Sequence, residues 1–312
     1  MAICAVCLKP TADDADYHPR CAMKLFGSRT APHLDVDPTE LYTQAAKLAG
    51  KMSISGVQIK LSMKVSENQL RLESVAAGGR YILKPPQAVF PNLAENESLT
   101  MLAASVVGIE IPPHGLIRLK DGSMAYIIKR FDRSDGGGKL QVEDFCQLAG
   151  IPAAEKYTGS AELCVRLVRQ FADEPLIEIR KLFRLQLFSW WVCNGDLHLK
   201  NLSMLTLADG HHQLSPAYDL VNTRLVIPDD HTLALSIGGK KNSLTYRIWL
   251  DFAAYCGLPA KAAATLLSEQ IDALSAVTNL IQQSFLPAVK KEQYSQSIIE
   301  RTEILKKRSA VG

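Results

Sequence analysis

Apolar and polar positions change rhythm once along this chain, from short alternating stretches to long helical periods. Asp37-Pro38-Thr39-Glu40 supplies an N-cap, a proline at the first helical position and a capping carboxylate, and Gly50 closes the segment, which predicts a helix from about 38 to 49. Val57-Gln58-Ile59-Lys60-Leu61-Ser62-Met63 then alternates, Leu70 to Val75 does so loosely, and Tyr81-Ile82-Leu83 is an apolar triplet ending at Lys84-Pro85-Pro86, so three strands are expected. Asn92 with Glu95 opens a second helix that Gly108 ends, and Leu116 to Leu119 and Met124 to Ile128 flank Asp121-Gly122 as a hairpin. From Glu143 the spacing is helical, most clearly from Asp173-Glu174-Pro175-Leu176 through Phe183, Leu187 and Trp190 to Cys193, a helix expected to be largely buried. A short strand pair, Leu202 to Leu207 and Gln213 to Leu214, brackets Asp209-Gly210, and the remainder to Lys307 is mainly helical. The pattern predicts an α+β fold, with a short arm over 1–30, a strand-rich part over 31–140 and a helical part over 141–312; the loop Ser134-Asp135-Gly136-Gly137-Gly138 falls near the change.

At 312 residues the chain exceeds what one core usually covers. With 47% hydrophobic and 21% charged residues, it has enough apolar matter for a large core and is not composed like a disordered chain. A net charge of +3 is too small to imply nucleic-acid binding by itself. No run approaches the roughly 18 apolar residues of a membrane span. The opening residues, MAICAVCLKP, lack a basic n-region and a long apolar stretch, so a cytoplasmic address without membrane contact is expected. Of seven cysteines, Cys146, Cys164, Cys193 and Cys256 lie in apolar stretches as small hydrophobes, and a disulfide framework is not expected.

The segment richest in chemistry is Asn194-Gly195-Asp196-Leu197-His198-Leu199-Lys200-Asn201, followed eighteen residues later by Asp219. An Asp on a loop after a buried helix can accept or orient a hydroxyl proton, an Asn five residues on can reach a metal near the same phosphate, and a second Asp completes a magnesium site. The plainer alternative has Asp196 and Asn201 shaping a polar turn and Asp219 capping a helix that starts at Leu220. Lys84 ends a strand and could project toward a phosphate, with Glu97 or Glu95 on the next helix as its ion-pair partner. Ser53-Ile54-Ser55-Gly56-Val57-Gln58-Ile59-Lys60 lies between a helix end and a strand, where backbone N–H groups and hydroxyls could cradle phosphates, although an ordinary loop would look the same.

Taken in order, Ser53 to Lys60, Ile82 to Pro85, Glu95-Asn96-Glu97, Arg130-Phe131-Asp132-Arg133, Glu143 to Gln147, 196–201 and 218–221 resemble the HipA-like serine/threonine kinases, toxins of bacterial toxin–antitoxin modules. The resemblance spans most of the chain and implies a two-lobed protein-kinase-like fold that binds ATP and Mg²⁺. It makes Asp196 the catalytic base, Asn201 and Asp219 the magnesium residues and Lys84 a phosphate contact. It implies an adenine-side hinge at Lys129, Arg130 and Phe131, and a nucleotide pocket completed by His198, Lys200, Asn201, Tyr218 and Asp219. Ser55, Gly56, Val57, Gln58 and Lys60 would form the loop over the phosphates, with autophosphorylation at Ser53 or Ser55. Full-length members carry a β-rich N-terminal subdomain that is not expected here, so the chain is most similar to the short HipT toxin of three-part HipBST modules. The implied partners are a protein substrate, such as an aminoacyl-tRNA synthetase, a small HipS-like protein and a helix-turn-helix HipB-like protein, with DNA reached only through the complex.

Cys4-x-x-Cys7 and His18-x-x-Cys21 have the ligand types and spacing of a tetrahedral Zn²⁺ site, although reduced thiols in a polar arm would read the same way. Two rival functions stay open: a small-molecule kinase of the aminoglycoside or choline type, with the same Asp, Asn and Asp, and a non-catalytic kinase-like binding protein. The serines at 53 and 55 favour a protein substrate over the first, and the intact metal residues count against the second.

Overall fold

The computed structural model describes residues 2–12, 15–49, 58–68, 70–134, 138–227 and 229–307. Contacts divide the chain into two compact units, one of Met1–Leu99, Pro112–Arg130 and Gln283–Leu286, the other of Thr100–Ile111, Phe131–Gln282 and Pro287–Gly312.

The first unit is built on a five-stranded antiparallel sheet, β1 (Leu61–Val65), β2 (Leu72–Ser74), β3 (Tyr81–Lys84), β4 (His114–Arg118) and β5 (Met124–Lys129), in the order β2-β1-β3-β5-β4. Each of the three expected early strands forms, but β1 begins at Leu61, so residues 58–60 precede the ladder. Two helices lie ahead of the sheet, α1 (Pro19–Phe26) and α2 (Pro38–Ala49). α2 keeps the expected bounds, and its cap is realised by Asp37 Oδ1 accepting from the Glu40 N–H at 2.9 Å. Leu25, Phe26, Leu41, Leu61, Met63, Tyr81, Leu83, Ala125 and Ile127 form the core, so the arm ahead of the sheet is part of this unit's interior. α3 (Leu93–Val106) ends near Gly108, whose φ of 75° is a left-handed conformation that glycine adopts without strain. Its first half belongs to the first unit and its second half, from Thr100, to the second.

The second unit combines a three-stranded sheet, β6 (Gln141–Asp144), β7 (Ser203–Thr206) and β8 (His212–Leu214), with α4 (Phe145–Ala149), α5 (Ala161–Phe171), α6 (Pro175–Trp191), α7 (Tyr246–Tyr255), α8 (Ala260–Asp272), α9 (Leu274–Gln283) and α10 (Ala288–Lys306). One expectation is corrected here. The helical spacing read from Glu143 starts only at Phe145, because Gln141–Asp144 pairs with β7 as an edge strand. α6 is the buried helix its pattern predicts, and it ends at Trp191 rather than Cys193. Phe183 stacks on Phe252 at 5.7 Å between ring centroids and meets Trp249 edge-on at 5.8 Å, which packs α6 against α7. The indole N–H of Trp191 donates to Thr302 on α10 at 2.8 Å. Glu178 on α6 is buried, and its Oε2 accepts the Leu214 N–H of β8 at 2.9 Å, tying sheet to helix. Among the described residues no helix is long and apolar enough to cross a membrane.

Candidate functional site

In the second unit the chain leaves α6 through Cys193, whose φ is 56°, and enters the Asn194–Asn201 loop. The buried Asn194 shapes the turn, its Oδ1 accepting the Asp196 N–H at 3.0 Å. The Asn201 side-chain amide donates to the Asp196 carbonyl at 2.9 Å, closing the loop on itself. That bond uses the NH₂ of Asn201, so the side-chain atom that could take a cation is its carbonyl oxygen. Gly195 is required by space: a Cβ there would come within 2.2 Å of Asp230 Oδ2 and 2.8 Å of the Thr232 carbonyl. Its N–H donates to Thr223 Oγ1 at 3.0 Å.

The Asp196 side chain is 45% exposed, so a carboxylate held by a buried loop is offered to solvent. The Tyr157 hydroxyl donates to its Oδ1 at 2.6 Å, and burial followed by that bond pushes the phenol well above its ordinary range, so it stays a donor. His198 Nε2 lies 3.8 Å from the same oxygen, its ring edge-on to Tyr157 at 5.0 Å. Burial lowers the His198 pKa, and the charges of Asp196 and Asp219 act against that shift.

Asp219 has φ 55°, the left-handed region, and no helix begins at Leu220; the next helical turn is Thr223–Leu225. The helix-cap alternative for Asp219 is thus not what the backbone does. Tyr218, before it, is half-buried; its ring lies 5.6 Å from that of Phe131, and its hydroxyl bonds Ser203 Oγ at 2.6 Å and the Lys200 carbonyl at 3.1 Å. The Lys200 ammonium sits 2.7 Å from Asp144 Oδ2, and Asp144 also caps α4 through the Gln147 N–H. β6 pairing with β7, Asp144 opposite Ser203, brings that carboxylate to the loop. An amide oxygen and carboxylates are hard donors, a set suited to magnesium rather than to a soft metal.

In the first unit Lys84 ends β3, where Pro85 and Pro86 cannot continue the ladder. Its Nζ lies 2.6 Å from Glu97 Oε1, with Lys84 2% and Glu97 1% exposed, and 5.3 Å from the centre of the Tyr126 ring. Of the two candidate carboxylates it is Glu97 that takes the lysine, while Glu95 accepts from Asn92. Lys129 closes β5, its N–H bonded to the Pro113 carbonyl, and the Arg130 N–H bonds the Arg80 carbonyl. Gln58 is half-buried and Lys60 exposed, directly before β1. Ser53, Ser55, Gly56 and Val57 lie outside the described residues.

The N-terminal arm brings Cys4, Cys7, His18 and Cys21 together, their ligand atoms all within 4.8 Å of one another. Sequence reading missed Tyr157, which sits 39 positions from Asp196 in a turn with no periodic or motif signal, its carbonyl held by Lys241 at 3.0 Å. It also missed Thr223 and Asp230, which brace Gly195.

The family model described as the HipA-like C-terminal domain matches residues 52–278. A Sinorhizobium fredii protein named "Putative kinase Y4mE" is 28% identical over 271 residues, covering 82% of this chain; the chain spans 64% of that relative's length. Among solved structures, HipA of the Shewanella oneidensis MR-1 toxin–antitoxin system, crystallised with HipB and its operator DNA, superposes with a TM-score of 0.66 at 22% identity, covering 80% of this chain and 64% of that one. The Helicobacter pylori proinflammatory kinase CtkA gives 0.53 at 16% identity, covering 72% of this chain and 88% of that one. The fold is a mixed α+β kinase-like one, with an antiparallel sheet toward the N-terminus and helices toward the C-terminus. With the match extending over well more than half its length, the chain belongs to the HipA-like C-terminal domain family.

Proposed function

We propose that the chain is an ATP- and magnesium-dependent serine/threonine kinase that acts as the toxin of a toxin–antitoxin module. The observation that carries this reading is the 194–201 loop: a half-exposed Asp196 carboxylate oriented by Tyr157, above a backbone clamped by Asn201. Asp196 would take or orient the proton of the attacking hydroxyl, and a carboxylate already fixed by one donor needs little reorganisation to do so. Asn201 and Asp219 would hold magnesium, which when bound neutralises phosphate charge. Lys84, fixed by Glu97, would be the phosphate lysine, matching the strand-lysine to helix-glutamate pair of kinases. Lys129, Arg130 and Phe131 would border the adenine, with Tyr218 backing Phe131. Lys200 we assign to holding the loop on β6 through Asp144 rather than to a phosphate. Gln58 and Lys60, with Ser55, Gly56 and Val57, would close over the phosphates, and Ser53 or Ser55 would take the autophosphate. HipA of Shewanella oneidensis was crystallised with HipB and operator DNA; for this chain we propose antitoxin proteins of the HipB and HipS type as partners, a likeness to short HipT toxins, and a protein target.

Incubation with radiolabelled ATP and Mg²⁺, with no other substrate, tests the reading. The wild-type chain should label itself on Ser53 or Ser55, and Asp196→Gln should not while still binding nucleotide. Unlabelled wild-type protein that phosphorylates a small aminoglycoside or choline-like alcohol instead would replace the protein-kinase reading.

A further inference from the structure

The first unit's sheet leaves β4 as an outer strand, and an outer strand presents unpaired backbone groups that need covering. The N-terminal arm covers them. The Leu116 N–H donates to the Ala5 carbonyl at 2.9 Å, and the Leu116 carbonyl accepts from the Tyr17 hydroxyl at 2.6 Å. The approach is close enough that a Cβ on Gly115 would fall 2.8 Å from Val6 Cγ2 and 2.9 Å from the Ala5 carbonyl. Ala5 and Val6 are the two residues between Cys4 and Cys7.

Cys4 and Cys7 sit on a tight turn in which the Leu8 N–H returns to the Cys4 carbonyl at 3.0 Å and Leu8 takes φ 58°. His18 precedes α1 and Cys21 lies in its first turn, so the second pair rides on a helix whose Leu25 and Phe26 are core. His18 Nδ1 lies 3.3 Å from Cys7 Sγ and 3.9 Å from Cys21 Sγ. Zinc bonds of about 2.3 Å to sulfur and about 2.0–2.1 Å to nitrogen put tetrahedral ligand atoms roughly 3.5–3.8 Å apart, so these separations bracket what zinc needs. A separate observation fixes the histidine: its Nε2 lies 2.9 Å from the Pro10 carbonyl. A proton on Nε2 donated to that carbonyl leaves the Nδ1 lone pair facing the thiols, the outer hydrogen bond that metal-bound histidines use. Buried thiols that merely fill space would need neither four converging donors nor an oriented imidazole.

We propose that Cys4, Cys7, His18 and Cys21 bind one zinc ion in a closed four-coordinate site, and that this site fastens the arm across the edge of β4. Three thiols bind as thiolates and the imidazole as the neutral form, so zinc uptake releases the protons of whichever thiols were still protonated. All four positions of the ion are filled by protein, which makes the site structural rather than catalytic. The inference is independent of the kinase reading.

The test uses the full chain, purified without a metal-chelating column and dialysed against metal-free buffer. Mass spectrometry of the metal content should find one zinc per chain, and Cys7→Ser should lose it. Reconstitution with Co²⁺ in place of zinc should give the intense visible bands of four-coordinate cobalt with thiolate-to-metal charge transfer. Should Cys7→Ser fail to fold, titrating wild type with a mercurial should release the zinc in step with three modified thiols. Removing the ion should speed amide exchange at Leu116. A chain that stays metal-free after exposure to zinc, or a weak six-coordinate cobalt spectrum, would overturn the site; unchanged exchange at Leu116 on zinc removal would overturn the fastening.

Discussion

At the scale of single residues, the backbone of Asp219 separates charge from conformation. A non-glycine residue in the left-handed region costs of order 1–3 kcal/mol unless its side chain suits it, and Asn suits it as well as Asp does. Asp219→Asn should therefore leave urea stability within about 0.5 kcal/mol of wild type while abolishing magnesium-dependent ATP binding. Asp219→Ala should lose the same binding and about 1 kcal/mol more stability. Nucleotide titrations with and without Mg²⁺, beside urea melts of both variants, check this; intact magnesium-dependent binding by the Asn variant would remove Asp219 from the metal set. Two histidines make a second prediction. His114, on β4, and His198 are both held below the ordinary histidine pKa by burial first of all. An unfolded histidine titrates near about 6.5. Above that pH neither state is protonated and the folded chain has its full stability. Below it the unfolded chain takes up protons that the folded one refuses, so stability falls with pH until the folded values are passed. The urea midpoint should drop between pH 7.5 and 5.5, and His114→Gln should flatten that slope; an equal slope in the variant would rule His114 out as its source.

At the scale of elements, the 194–201 loop, catalytic in the proposed reading, depends on one missing side chain. Gly195→Ala would drive a Cβ into Asp230 and the Thr232 carbonyl, one of them backbone, so the loop must move and carry Asp196 with it. Misplacing a reacting group by about 1 Å can cost on the order of 100-fold in rate. The expected outcome is such a loss in autophosphorylation with Lys84 and Glu97 untouched; activity within twofold of wild type would mean the loop has slack. What sequence could and could not read follows the same locality. α2 was legible because its cap, proline and closing glycine lie within its own span, and the 194–201 loop because Asp196 and Asn201 are five residues apart. β6 was not legible: Gln141–Asp144 is polar, only partly covered and does not alternate, and its pairing partner β7 lies some sixty positions onward. Tyr157 escaped for the same reason, since only the folded chain sets its hydroxyl against Asp196. The choice between Glu95 and Glu97 needed the phase of α3, which the run Glu95-Asn96-Glu97-Ser98 conceals by putting polar residues on nearly every side of its first turns.

At the scale of the whole molecule, the question is whether Lys84 and Glu97 exist for stability or for chemistry, and burial makes the two separable. Both groups lie almost wholly out of water, where breaking one side of an ion pair typically costs about 3–5 kcal/mol, while replacing both by apolar groups of similar volume is often neutral or better. Lys84→Met strips the ammonium from a carboxylate that is 1% exposed, so it should destabilise the chain by roughly that amount. Loss of activity in that variant alone would say nothing, since an unfolded kinase is inactive for any reason. Lys84→Met combined with Glu97→Leu removes both charges and should recover most of the lost stability. If the lysine is the phosphate-binding group of the proposed kinase, the double variant should melt near wild type and still fail to autophosphorylate. Urea melts and radiolabelled ATP on the wild type, the single and the double variant decide it: a double variant that is both stable and active would reduce the pair to a structural bond, and one as unstable as the single variant would show that Lys84 and Glu97 stabilise the fold through more than their mutual charge.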